Sequence, residues 1–141
     1  MTIRSILQGR SDRIISGHLE DQVRAAINIL AEHRIGAIPV MDQNRVVGIF
    51  SERDLVRLFS AHGPEILDRS LGEVMTRTPV LAAIDMSIMG ALALMTQKRV
   101  RHLPIMDDDL LCGFISIGDL VKYRIDKIEA EASALRDYIA T

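Results

Sequence analysis

A single cysteine, Cys112, stands in a chain of 141 residues, which excludes an internal disulfide and suits a reducing compartment. Charge of one sign is also missing. The 17 Lys and Arg against 19 Asp and Glu leave a formal charge of −2, and with it no electrostatic case for nucleic acid or an anionic membrane. No apolar run approaches the ~20 residues of a membrane span, and Met1 to Leu7 lack the apolar stretch of a signal peptide. His18, His33 and His62 are scattered, and no His/Cys cluster has the spacing of a zinc site. Asp107, Asp108 and Asp109 are consecutive, where a calcium loop needs alternating ligands, so they read as a turn. These absences point to a cytoplasmic protein whose partners are small molecules or other proteins.

What is present is a compact soluble composition, 48% hydrophobic and 26% charged, and above all a repeat. A shift of 65 residues lays Arg34 on Arg99, Pro39 on Pro104, Met41-Asp42 on Met106-Asp107, Gly48 on Gly113, Ser51 on Ser116 and Asp54-Leu55-Val56 on Asp119-Leu120-Val121. Each copy runs from one apolar stretch through a polar turn to a second (Ala37 to Met41 then Val46 to Phe50; His102 to Met106 then Leu110 to Ile115), the signature of a β-hairpin. The hairpin ends at Ser-x-x-Asp and passes into helix-forming residues, so a Ser and an Asp stand at the start of a helix in both copies.

Upstream, the copies also agree. Thr2 with Ile3, Ile6 and Leu7, and Ser70 with Leu71, Val74 and Met75, predict short opening helices. The offset there is 68, which makes the following loop three residues longer in the first copy. Short strands are expected at Ile14 to Ser16 and Val80 to Ala82. Amphipathic helices follow, with core faces Val23, Ala26, Ile27, Leu30 and Ile88, Ala91, Leu92, Met95. A helix from Asp54 to about Ala61 stops at His62-Gly63-Pro64, the expected seam between repeats. Pro39 and Pro104 inside strands predict that the first hairpin strand is an edge. From Asp119 onward no helix breaker intervenes, and Val121, Ile125, Ile128, Ala132, Leu135 and Ile139 alternate spacings of four and three, as in a coiled-coil seam.

This order of elements, with a Pro-containing strand, an Asp turn and Gly-x-x-Ser-x-x-Asp-Leu, resembles the cystathionine β-synthase (CBS) domain, here as a tandem pair or Bateman module over residues 1 to about 125. The resemblance implies an α/β (α+β) fold of two β-α-β-β-α repeats about a pseudo-two-fold axis. Repeat 1 spans 1–63, repeat 2 spans 64–125, and a helical extension spans 126–141. It implies a sensor rather than an enzyme, with clefts that in many members take AMP, ATP, S-adenosylmethionine or NAD(H), AMP being the first candidate here. Carried over by position, the main cleft is expected to comprise Ser16, Arg101, His102, Leu103, Ser116 and Asp119. Asp119 would take the ribose diol, Arg101 and His102 the phosphate, and Leu103 the adenine. A weaker second cleft would comprise Ile38, Ser51, Arg53 and Asp54, facing Leu81, with Gly36 and Ala37 where the first has Arg101 and His102.

Plainer readings stand beside these. Ser-x-x-Asp is also close to a capping box, and Arg101 and His102 can be solvated strand residues. A triad of Cys112, His102 and Asp119 is disfavoured because Cys112 lies in an apolar run. A rival to the sensor is an interaction module with empty clefts whose tail helix carries the function. For either, the tail predicts a homodimer, with a protein effector unspecified.

Overall fold

The computed structural model describes residues 1–10 and 13–140. Its elements run α1 (Ile3–Gln8), β1 (Gly17–His18), α2 (Val23–His33), β2 (Ala37–Asp42), β3 (Arg45–Ser51), α3 (Glu52–His62), a 3-10 segment (Gly63–Asp68), α4 (Leu71–Val74), β4 (Thr76–Arg77), β5 (Ala82–Ala83), α5 (Ile88–Lys98), β6 (His102–Asp107), β7 (Leu110–Ser116) and α6 (Ile117–Ala140). The mixed α/β architecture, a doubled unit with a long last helix, is the one the repeat implied.

The hairpins β2–β3 and β6–β7 form in matching register, Pro39 opposite Ile49 and Pro104 opposite Phe114. Gln43 and Asn44 both take positive φ, which matches the right-handed twist of the strands they join. The expectation that the proline strand lies at an edge does not hold. The sheets are ordered β1-β2-β3-β4 and β5-β6-β7, so β2 and β6 are interior. The prolines are tolerated because the parallel neighbours are only two residues long: β1 pairs with Val40 and Met41, β5 with Ile105 and Met106, each beginning one residue past the proline. The first strands also begin later than expected, at Gly17 and Ala82. Residues 13–16 have no regular structure and lie beside the cleft described below.

Two cores form, one per sheet, and each takes the short opening helix of the other copy. Ile3 and Ile6 of α1 pack with Ile88, Ala91, Met95, Leu103, Ile105 and Ile115 of the second copy. Leu71, Val74 and Met75 pack with Val23, Leu30, Val40 and Phe50 of the first, and Ile66 of the 3-10 segment joins them. Backbone bonds fasten the exchange, Ile3 N–H to Met86 O at 2.9 Å and Leu71 N–H to Asp21 O at 2.8 Å. Neither copy's sheet is covered by its own residues alone, which is the physical content of the doubling. The amphipathic faces of α2 and α5 are as predicted, with Ile27 and Leu92 at the half-buried margin.

The tail forms one helix, α6, of 24 residues. Only Leu120 within it is buried; Val121, Ile125, Ile128, Leu135 and Ile139 all lie exposed. No helix among the described residues is long and apolar enough to cross a membrane.

Candidate functional site

The copies meet around a cavity of about 890 Å³. The first copy contributes Arg13 to Ile15 and the end of α2 to the start of β2, His33 to Ala37; the second contributes His102, Cys112 to Phe114, Ser116 and Asp119; α1 adds Leu7, and Arg10 follows just beyond it.

At the helix starts the Ser-x-x-Asp pairs form reciprocal caps in both copies. Asp54 N–H donates to Ser51 Oγ at 3.2 Å while Ser51 N–H donates to Asp54 Oδ2 at 3.0 Å. The equivalent distances are 3.1 Å for Asp119 N–H to Ser116 Oγ and 2.8 Å for Ser116 N–H to Asp119 Oδ2. The capping reading is therefore correct for both, and it uses one carboxylate oxygen. The copies differ at the other. Among the described residues Asp119 Oδ1 meets Arg10 Nη2 alone, at 2.8 Å, with both side chains about one-third exposed. Asp54 Oδ1 is held by Arg57 at 3.1 Å and by the Thr76 hydroxyl at 3.4 Å, and the residue is buried.

The remaining expected residues divide. His102, Ser116 and Asp119 line the cavity. Leu103 and Ile38 are wholly buried in the two cores, and it is their strand neighbours His102 and Ala37 that face the cleft, as alternation along a strand requires. Arg101, Ser16 and Arg53 are exposed and outside the cavity lining; Arg57, one turn on from Arg53, is the cation that reaches Asp54. In place of Arg101, the cavity is lined by Arg10, Arg13, His33 and Arg34, none of which the repeat singled out as a ligand. Arg34 was visible as a repeated residue. It is the left-handed C-cap of α2 (φ 53°), as Arg99 is of α5 (φ 56°), and that backbone turn places it at the cleft.

His102 stacks on Phe114, ring centres 5.5 Å apart at an interplanar angle of 12°. Its pKa is lowered, chiefly by burial; Asp119 and Glu52 push it up and Arg101 pushes it down. Cys112, His102 and Asp119 do converge on the one cavity, contrary to the expectation from the apolar run. The cysteine is nonetheless no activated nucleophile. Its thiol donates to Ile105 O at 3.3 Å, and burial pushes its pKa up, away from the thiolate. Among the described residues no three His, Cys, Asp or Glu side chains gather to hold a metal.

The second helix-start site is closed by backbone. β4 pairs with β3, Gly48 opposite Arg77 and Ile49 opposite Thr76, so close that a Cβ on Gly48 would lie 2.5 Å from Met75 Sδ and 2.7 Å from Thr76 O. At Gly113 the near neighbour is the side-chain end of Leu7 at 2.8 Å.

Two sheets doubled about a shared cleft, each hairpin running into a capped helix, define a tandem α/β repeat module. The CBS domain family model matches residues 11–61 and 71–126, and the chain belongs to that family. YhcV of Bacillus subtilis, a CBS domain-containing protein, is 33% identical over 113 residues, covering 80% of this chain and 79% of that one. The mitochondrial CBSX3 of Arabidopsis thaliana is 30% identical; the match covers 85% of this chain but 61% of the relative. A CBS-domain protein of Agrobacterium tumefaciens superposes with a TM-score of 0.83 at 32% identity, covering 88% and 99% of the two chains. The CBS pair of protein MJ0100, crystallised with 5′-methylthioadenosine and S-adenosylmethionine, shares the fold at a TM-score of 0.79 and 22% identity, over 90% and 98%.

Proposed function

We propose that this chain is a regulatory module that binds an adenine nucleotide in the cleft lined by Asp119, and that the other helix-start site is structural. The observation that carries the reading is one cavity lined by three arginines, of which the partly exposed Arg10 is, among the described residues, the one contact of the Asp119 carboxylate oxygen. A ribose 2′,3′-diol presents two donors to such an acceptor, and Arg10, Arg13 and Arg34 are the natural holders of phosphate. His102 and Phe114 supply a flat apolar wall for a base. Such a cation set favours AMP, ATP or NAD(H) over S-adenosylmethionine, whose sulfonium is itself positive, although MJ0100 shows the fold accommodating adenosyl groups of both kinds of sulfur chemistry. AMP is the first candidate. Binding would order Arg10, residues 13–15 and the start of α6 together, and a partner would read that change.

The test is mass spectrometry of nucleotide that co-purifies, with thermal unfolding in AMP, ATP, NADH and S-adenosylmethionine. A ligand of the folded state raises the melting temperature by mass action. A rise with the phosphate-bearing ligands supports the reading. No rise with any of the four supports the rival, an interaction module, which the exposed apolar face of α6 favours.

A further inference from the structure

The charges flanking the exposed seam of α6 specify what covers it. With Ile125, Ala132 and Ile139 as one set of seam positions and Val121, Ile128 and Leu135 as the other, the charged flanking positions are Arg124 and Glu131 on one side, Lys122, Glu129 and Arg136 on the other. On the opposite face Tyr123 packs against the second core, and from there on the residues are Asp126, Lys127, Ala130, Ser133, Ala134 and Asp137, small or charged, which need no cover. We propose that α6 pairs with α6 of a second copy as a parallel, in-register coiled coil.

The choice of a second copy and of its direction comes from charge. Laid parallel, each flank residue meets the partner's residue five positions on, so Arg124 meets the partner's Glu129 and Glu131 meets the partner's Arg136, each pair repeated by the two-fold. Both pairings are attractive. Laid antiparallel on the same apolar layers, with Ile125 against the partner's Leu135, the flanks meet as Glu129 with Glu129, Glu131 with Glu131 and Lys122 with Arg136. All three are repulsive. Ile125 and Ile139 with Leu135 suit two strands, Val121 and Ile128 do not add to that preference, and Ala132 lets two axes approach at mid-length. A parallel pair also brings the two helix starts, each beside its own Asp119, to the same end of the coil. This inference does not rest on the nucleotide reading.

Sedimentation of the full chain is expected to show a dimer, and truncation after Arg124 a monomer that keeps a cooperative melting transition and loses only the dichroism of the deleted helical turns. Glu129→Arg with Glu131→Arg turns these flank pairs repulsive and should weaken the dimer about tenfold or more, while adding Arg124→Glu and Arg136→Glu restores it. In a Cys112→Ala background, Leu135→Cys should cross-link to itself under mild oxidation, because its layer faces its own copy. A monomeric full chain, a truncated chain that remains dimeric, or a dimer indifferent to the double charge reversal would overturn the proposal. So would cross-linking found only in mixtures of Ile125→Cys and Leu135→Cys chains, the antiparallel outcome.

Discussion

The two copies place the same Ser and Asp at the start of a helix, yet only one of the two carboxylates keeps an oxygen facing an open cavity. Asp54 is buried under Arg57 and Thr76, and Thr76 arrives there because β4 adds to the edge of β3. Asp119 faces a cavity because, among the described residues, no strand adds to the edge of β7 as β4 adds to β3, leaving Arg10 as its contact. Identical motifs have thus acquired different work through neighbours outside the motif: one carboxylate caps and anchors, the other caps and remains able to exchange a partner. If this contrast is correct, paired substitutions should have opposite signatures.

The largest effect is expected from the carboxylates. Asp119→Ala should weaken AMP binding by roughly 2 to 3 kcal/mol, through loss of charged hydrogen bonds to the ribose, with a smaller loss of stability from the cap. Asp54→Ala should spare binding and instead cost about 2 to 3 kcal/mol of stability, since it leaves the Thr76 hydroxyl and Ser51 N–H without their acceptor. Calorimetric titration and denaturant unfolding of both variants check this. Loss of binding with Asp54→Ala alone would reverse the assignment of the clefts.

Next come the glycines. An alanine at Gly48 meets the backbone of β4, which cannot yield without breaking the strand pair, so Gly48→Ala should cost about 1 to 3 kcal/mol. Gly113→Ala meets the tip of Leu7, which can change rotamer into the cavity, and should cost less than about 1 kcal/mol. Equal melting temperatures would mean that β4 does not close the second site.

How much of this contrast the sequence revealed follows from what each feature depends on. The hairpins, the helix faces and the doubled Ser and Asp rest on local patterning, and these were legible. The exchange of α1 and α4 between cores depends on how long the connecting segments are and where they lead, and two three-residue amphipathic patterns look alike whichever core they enter. Pro39 misled because it reports a missing neighbour at one residue, whereas an edge is a property of the whole strand. The cations were misjudged for a related reason. Arg101 stands beside His102 in sequence, but it lies before β6, exposed and outside the cavity lining, while Arg10 and Arg13 come from the connection after α1, Arg34 from the end of α2, and they meet only in the fold.

Those cations supply the third test. Arg34→Gly removes a cavity-lining charge and at the same time relieves a left-handed backbone position, so affinity for AMP should fall by about 1 to 2 kcal/mol while stability holds or rises by some tenths of a kcal/mol. Arg99→Gly makes the same backbone change at the end of α5 and should leave affinity alone. Parallel losses in both variants would show that Arg34 acts through the helix end and not through phosphate.

The smallest effect is one of pH, and it belongs to one cleft alone because Ala37 stands opposite Ser51 where His102 stands opposite Ser116. Burial beside Phe114 lowers the His102 pKa below its ordinary value near 6.5. The unfolded chain therefore binds a proton on this residue at a higher pH than the folded chain does. Its contribution to stability is present above that ordinary value and is lost as pH falls towards the lowered one. The charge of a phosphate held in the same cavity by Arg10, Arg13 and Arg34 favours the imidazolium and so works against that lowering, as Asp119 and Glu52 do, while Arg101 opposes it. AMP should accordingly bind somewhat more tightly at pH 6 than at pH 7.5, with uptake of less than one proton per nucleotide, and more weakly stabilised apo protein should accompany the tighter binding. His102→Gln keeps a planar polar group without the titration and should flatten the pH dependence of affinity. Calorimetry in buffers of different ionisation enthalpy measures the proton directly; an unchanged proton uptake in His102→Gln would place the titrating group elsewhere in the cleft, with His33 the neighbouring imidazole to examine.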